Sequence, residues 1–200
     1  MSMKQLVLRT VLTALAIASP RCAFAQKASL CTEQEDFLFT CTLESKKIVS
    51  ACAEVDAAQN GYKSIVYRYG AKDAIELSIP KAPTDFRTAI RVSEWTNKQS
   101  SKLTEDDRYL RFLNGRYSYL AYTSTGDNFD IAGLALFDGA KLVKNEKCQP
   151  DSFDSPMLSF NELLNLGVRE ERAAGEKRFW KAIAPPGSAV LRHPSEMRSK

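Results

Sequence analysis

The sequence predicts a mainly β fold, an antiparallel sandwich or barrel of about nine short strands with one C-terminal helix. Three observations predict it. Apolar and polar residues alternate with a period of two from Phe37 to Val143, as half-buried strands require. Asn114-Gly115 and Asp138-Gly139 each separate two such runs, and these dipeptides supply the positive φ angles of tight hairpin turns. After Cys148 the apolar spacing lengthens to that of a helix.

Phe37, Phe39, Cys41 and Leu43 share one face of a first strand, and Glu44-Ser45 ends it. Ile48 to Val55 forms a second strand, apolar at Val49, Ala51, Ala53 and Val55. Asn60-Gly61 marks a turn into a third, Ser64 to Tyr69. A connection through Gly70 and Asp73 leads to Ile75, Leu77 and Ile79, and Pro80 with Pro83 stops that strand. Thr88 to Trp95 is the fifth. Asn97 to Asp107 is polar and reads as an exposed loop. The hairpins Tyr109–Tyr122 and Ile131–Val143 follow, and Ile131 to Phe137, apolar on both faces, belongs inside a sheet. Ser159 is placed to cap a helix carrying Phe160, Leu163, Leu164 and Leu166, with Glu162 completing a capping box, and the spacing carries that helix to Arg172.

Residues 1–25 read as a signal peptide. Lys4 and Arg9 precede an apolar run from Val11 to Ala18, Ser19-Pro20 breaks it, and Ala23 and Ala25 fit a small-residue cleavage site, so the mature chain starts at Gln26. The run is shorter than the roughly 20 residues that span a bilayer, and no later segment is long and apolar enough, so no membrane insertion is expected. Cys22 follows Arg21, which lacks the small-residue context of a lipidated cysteine. Residues 26–175 then form a single β-rich, disulfide-bearing domain, and residues 176–200 a partly disordered tail.

Export makes two disulfides the expectation for Cys31, Cys41, Cys52 and Cys148, which permit three connectivities. Closing Cys41 to Cys52 across a hairpin demands a tight turn at Lys46-Lys47, where lysine is a poor turn former, and the pairing stays open. A link to Cys148 would clasp most of the domain.

The chain carries 28 basic and 24 acidic residues; without Lys4, Arg9 and Arg21 the mature chain has 25 basic residues against 24 acidic. That near-neutral body shows no clustered basic face, so no nucleic-acid partner is expected. The single histidine, His193, lies in the tail, too far from a rigid scaffold for triad chemistry or for a histidine-ligated metal. Asp106-Asp107, Asp127 with Asp130 and Asp151 with Asp154 are the carboxylate pairs a glycosidase would draw on, yet each sits among turn residues. No phosphate-cradling glycine loop or nucleophile elbow occurs, so no cofactor is expected, and the chain does not read as an enzyme. Tyrosines interleave with arginines instead. Trp95, Arg111, Arg116, Tyr117 and Tyr119 are the candidate partner-binding residues, because these residue types dominate protein–protein hot spots. The same residues also serve as plain cross-strand packing.

Phe39-Thr40-Cys41, Lys47-Ile48-Val49-Ser50-Ala51-Cys52-Ala53, Tyr67-Arg68-Tyr69-Gly70 and Ile75-Glu76-Leu77 with Pro80 resemble short, uncharacterised exported proteins of Gram-negative bacteria. The resemblance runs from about Cys31 to Cys148 and implies a periplasmic or secreted protein. Small proteins of that kind include inhibitors and immunity proteins. The functional expectation is a binding or inhibitory protein whose partner is a toxin or hydrolase; the rivals are a carboxylate-dependent hydrolase and a small-ligand carrier with a barrel interior.

Overall fold

The alternating segments become ten strands arranged as two sheets among the described residues, which are 27–58, 61–81, 84–99, 102–126, 129–155 and 160–171 of a computed structural model. Strands β1 (Glu35–Thr42), β2 (Ile48–Asp56), β3 (Gly61–Ala71) and β4 (Ala74–Ile79) form a four-stranded antiparallel meander. Strands β5 (Ile90–Gln99), β6 (Lys102–Asn114), β7 (Tyr117–Gly126), β8 (Phe129–Asp138) and β9 (Lys141–Lys147) form a second meander, extended at the β5 edge by the short parallel strand β10 (Arg169–Glu170). A single turn of helix, α1 (Phe86–Ala89), joins the two meanders, and α2 (Phe160–Asn165) precedes β10. The sheets do not close into a barrel; the fold is a β-sandwich.

Its core is the space between the sheets. Val49, Ala51 and Ala53 of β2 and Ile65 and Tyr67 of β3 face Leu110, Phe112, Ala121 and Leu134 of the larger sheet, all buried. The Tyr67 ring bridges the layers, 5.4 Å from Phe112 and 5.5 Å from Tyr119 between centroids. A second cluster of Tyr109, Leu120, Tyr122, Ala135 and Phe137 is buried on the opposite face of the larger sheet. That is why Ile131 to Phe137 is apolar on both sides: successive residues of β8 serve different clusters.

The two layers are stitched at one corner. Beyond β9 the chain crosses to β1, with bridges Leu43–Cys148 and Thr40–Asp154. The Glu44 amide donates to the Lys147 carbonyl (2.9 Å), the Gln149 amide to Thr42 (2.8 Å), and Thr40 and Asp154 exchange both backbone bonds at 2.8 Å. The Cys41–Cys148 disulfide closes the same corner. The second disulfide, Cys31–Cys52, pins an N-terminal arm to the outer face of the smaller sheet. There the Leu30 amide donates to Ser50 Oγ (3.0 Å) and Thr40 Oγ1 donates to the Ala28 carbonyl (2.8 Å). Arg68 donates to both Glu35 carboxylate oxygens and to the Leu30 carbonyl.

The structure corrects three expectations. Asn97 to Asp107 is not a loop: β5 runs on to Gln99 and β6 starts at Lys102, with Asn97 opposite Glu105 and Thr96 opposite Asp106. Strand pairing is a backbone interaction, and polar residues follow it wherever a ribbon extends past the core. The terminal helix stops at Asn165 rather than reaching Arg172, because Gly167 takes a left-handed φ of 88° and turns the chain into β10. Lys46 does occupy a turn, at a φ of 70°, and closes the β1–β2 hairpin. The proposed leader, the Asn60 turn residue, Ser159 and residues 172–200, His193 among them, lie outside the described residues.

Replacing both Cys41 and Cys148 by alanine is expected to cost about 5 kcal/mol of unfolding free energy, and replacing Cys31 and Cys52 about 3 kcal/mol, because the first crosslink closes the longer loop. Urea denaturation of the two variants measures both, and the order of the two losses is the test. Glu35 supplies a pH signature. Burial by itself raises its pKa, but the hydrogen bonds from Arg68 and Thr32 outweigh burial and hold the carboxyl below its ordinary value. Stability from this pair is therefore present at neutral pH and lost as pH falls through that lowered value. Glu35→Gln is expected to cost about 3 kcal/mol at pH 7 and progressively less below about pH 4, read from urea curves across that range.

Candidate functional site

The residues singled out as partner-binding do not form one patch. Arg116, in the β6–β7 turn, is paired with Asp138, its Nη2 2.7 Å from Oδ2. Its guanidinium stands 5.8 Å from the centroid of the Tyr117 ring. Tyr117 is 40 % exposed, the most open of the tyrosines. Tyr119, two residues along β7, shares the face of Tyr117 and packs against Tyr67, so it is half-buried. Arg111 lies on the other face of the sheet, among the second cluster, 5.6 Å from the Tyr109 ring centroid, with its Nε 2.9 Å from Glu171. Trp95 stands opposite Asp107 in the β5–β6 ladder, and its side chain lies outside the described residues.

Tyr117, Arg116 and Tyr119 belong to a rim at one end of the interlayer space that also holds Tyr69 and Lys144. Register places Tyr119 beside Leu136 and Leu136 beside Lys144. Lys144 Nζ reaches across to stand 5.6 Å from the Tyr69 ring centroid and pairs with Glu146 at 2.5 Å. Glu146 also accepts a hydrogen bond from the Ser45 amide, 2.8 Å away. Burial raises its pKa, but Lys144 and Ser45 more than offset this and keep the carboxyl below its ordinary value. At the floor of this rim Tyr67 is fully buried, and its hydroxyl has no hydrogen-bond partner among the described residues. Burial, reinforced by the neighbouring tyrosines, pushes its phenol well above the ordinary value. Sequence reading missed Lys144, since a lysine in a polar strand carries no signal of the aromatic ring it will meet across the sandwich.

A cleft of about 290 Å³ opens at the stitched corner. Ile131, Ala132 and Phe153 give it an apolar lining, and Cys148 brings the crosslink to its wall. Glu44, Asp130, Asp151 and Lys147 also line it and are exposed. Asp130 and Asp151 come from two different sequence pairs, and the fold brings them to the same cleft. The other candidates are dispersed: Asp106 is paired with Arg108 at 2.6 Å, Asp107 is buried and accepts a hydrogen bond from Ser124, and Asp127 lies outside the described residues. Asp154 pairs with Thr40 through its backbone and is not among the residues lining the cleft. Asp130 accepts from Thr125 Oγ1 at 2.9 Å, yet neither it, Glu44 nor Asp151 takes part in an ion pair among the described residues. Among the described residues no group of three or more His, Cys, Asp or Glu side chains is arranged to hold a metal ion.

Comparison of the chain with protein-family models, with curated proteins and with solved structures finds no match.

The lone Tyr67 hydroxyl makes a stability prediction. Removing a buried polar group that lacks a partner relieves its desolvation cost, so Tyr67→Phe is expected to raise the unfolding free energy by about 1 kcal/mol. Urea denaturation checks this, and a loss of similar size would mean that the hydroxyl is bonded in solution.

Proposed function

We propose that this chain is an exported binding or inhibitory protein, periplasmic or secreted, that holds a protein partner by surface complementarity in the manner of an immunity protein against a toxin or hydrolase. Two disulfides fit an oxidising compartment, and among the described residues no helix is long and apolar enough to cross a membrane. The observation that carries the reading is the rim of Tyr117, Arg116, Tyr119, Tyr69 and Lys144. Tyrosines and cations there stand half-exposed on a crosslinked scaffold, with their rings and charges already placed by neighbours. Rigid tyrosine and arginine anchors lose little conformational freedom on binding, which is what makes such residues hot spots.

A carboxylate-dependent hydrolase is the second reading, and one observation favours it: Asp130 and Asp151 line one cleft with Glu44. The carrier reading needs a barrel interior; the chain forms two open sheets instead, and the space between them is filled by side chains such as Val49, Tyr67 and Phe112.

Capture from a periplasmic extract on the immobilised mature protein, in parallel with Tyr117→Ala and Arg116→Ala, tests the proposal. A specific protein is expected on the wild type, held at least about tenfold more weakly by each variant, since an anchor residue is worth above about 1–2 kcal/mol. A protein held equally by all three forms refutes the rim as the anchor. Glycan hydrolysis lost in both Asp130→Asn and Asp151→Asn would replace the binding reading with the second one.

A further inference from the structure

We propose that the cleft at the β9–β1 corner receives a lysine or arginine side chain of the protein partner. This rests on the binding reading above and names the chemistry of the partner at a second contact point.

The starting point is the shape of the cleft. A volume of about 290 Å³ admits one long side chain, and an apolar lining of Ile131, Ala132 and Phe153 suits the methylene stem of such a residue better than it suits a small polar solute. Charge then selects the tip. Glu44, Asp130 and Asp151 contribute three negative charges and Lys147 one positive, so the cleft is net negative. None of the three carboxylates is matched by a cation among the described residues, although acids elsewhere are: Glu35 by Arg68, Asp106 by Arg108, Asp138 by Arg116 and Glu146 by Lys144. Lys27 stands with its ammonium 5.8 Å from the Phe153 ring centroid and donates to the Phe153 carbonyl at 2.6 Å, so that ring already holds a cation of this chain. Even with Lys27 counted beside Lys147, the three carboxylates leave the cleft net negative, and they are the groups left for an incoming tip.

The walls are also fixed before anything binds. Cys148 is tied to Cys41, and the Gln149 amide and Ser152 hydroxyl both donate to the Thr42 carbonyl. Asp151 takes a φ of 58°, in the left-handed region that aspartate and asparagine tolerate, so Asp151→Asn keeps the local backbone.

The experiment is a two-dimensional amide NMR titration of the oxidised mature protein with n-butylguanidinium as the probe, and with n-butanol as a neutral control. Saturable shifts confined to residues lining the cleft, such as Ala132, Lys147 and Phe153, are expected with the cation and not with the alcohol. Affinity is expected to fall about tenfold in the triple variant Glu44→Gln, Asp130→Asn, Asp151→Asn, and to weaken as salt rises. All three positions are exposed, and an unchanged melting curve verifies that the variant is folded. Equal shifts from the alcohol, shifts scattered over the surface, or undiminished binding by the triple variant would each overturn the proposal. The binding reading fails separately. If the rim captures a protein that the triple variant captures as tightly, the cleft is refuted and the reading stands. If the probe binds the cleft as expected and no protein is captured, the reading is what has failed.

Discussion

The corner where β9 passes into β1 governs the rest of the sandwich. A meander of hairpins leaves each sheet with free edges, and nothing in local pairing says how two such sheets lie against each other. Here the chain resolves both problems with one segment. Residues 147–154 leave the larger sheet and supply β1 with hydrogen-bond partners, so backbone groups of Thr40, Thr42 and Glu44 are satisfied by the other layer. The Cys41–Cys148 bond makes that contact covalent. With that corner fixed, the two layers close over a shared core in which Tyr67 meets Phe112 and Tyr119.

Both crosslinks leave from the same hairpin but in opposite directions. Cys41 belongs to the interlayer core with Val49 and Ala51, whereas Cys52 sits one step out of phase with those residues and meets the arm at Cys31. A strand alternates its faces, so two cysteines of one hairpin that differ in parity cannot bond to each other. Instead they tie the smaller sheet to a layer on each side. The arm gains more than the sulfur bond: Arg68 and Glu35 hold it with a paired, largely buried ion pair, and Leu30 is buried over Ser50.

Parity also shows where sequence reading runs out. The Asn114-Gly115 and Asp138-Gly139 hairpins were legible because the turn chemistry is local, and both glycines do take positive φ. Four cysteines were legible as two bridges, but their pairing depends on the register of β1 against β2, which includes a bulge between Phe37 and Phe39 that no local signal announces. Polarity misled at Asn97 to Asp107, where strand pairing continues without an apolar face, and helical spacing misled beyond Gly167. The aromatic residues divided for the same reason. Tyr67, Tyr109 and Tyr122 are fully buried packing, Tyr117 is exposed, and nothing adjacent in the chain distinguishes them. The cleft was invisible because its walls come from Glu44, Asp130 and Asp151, which only the corner brings together.

How a partner would be recognised follows from which edges remain. β9, the last strand of the larger sheet, carries Lys141, Lys144 and Lys147, and β4, the last of the smaller, is six residues long. Short edges and lysine-rich edges discourage the addition of a foreign strand. On the proposed binding reading, these two edges leave recognition to side chains, which the rim and the cleft present. A contact made at a corner already fixed by a disulfide and by backbone pairing has little disorder left to lose, so more of its interaction energy appears as affinity. The bond that holds the layers together is also part of the cleft: Cys148, tied to Cys41, stands in its wall beside Lys147 and Gln149.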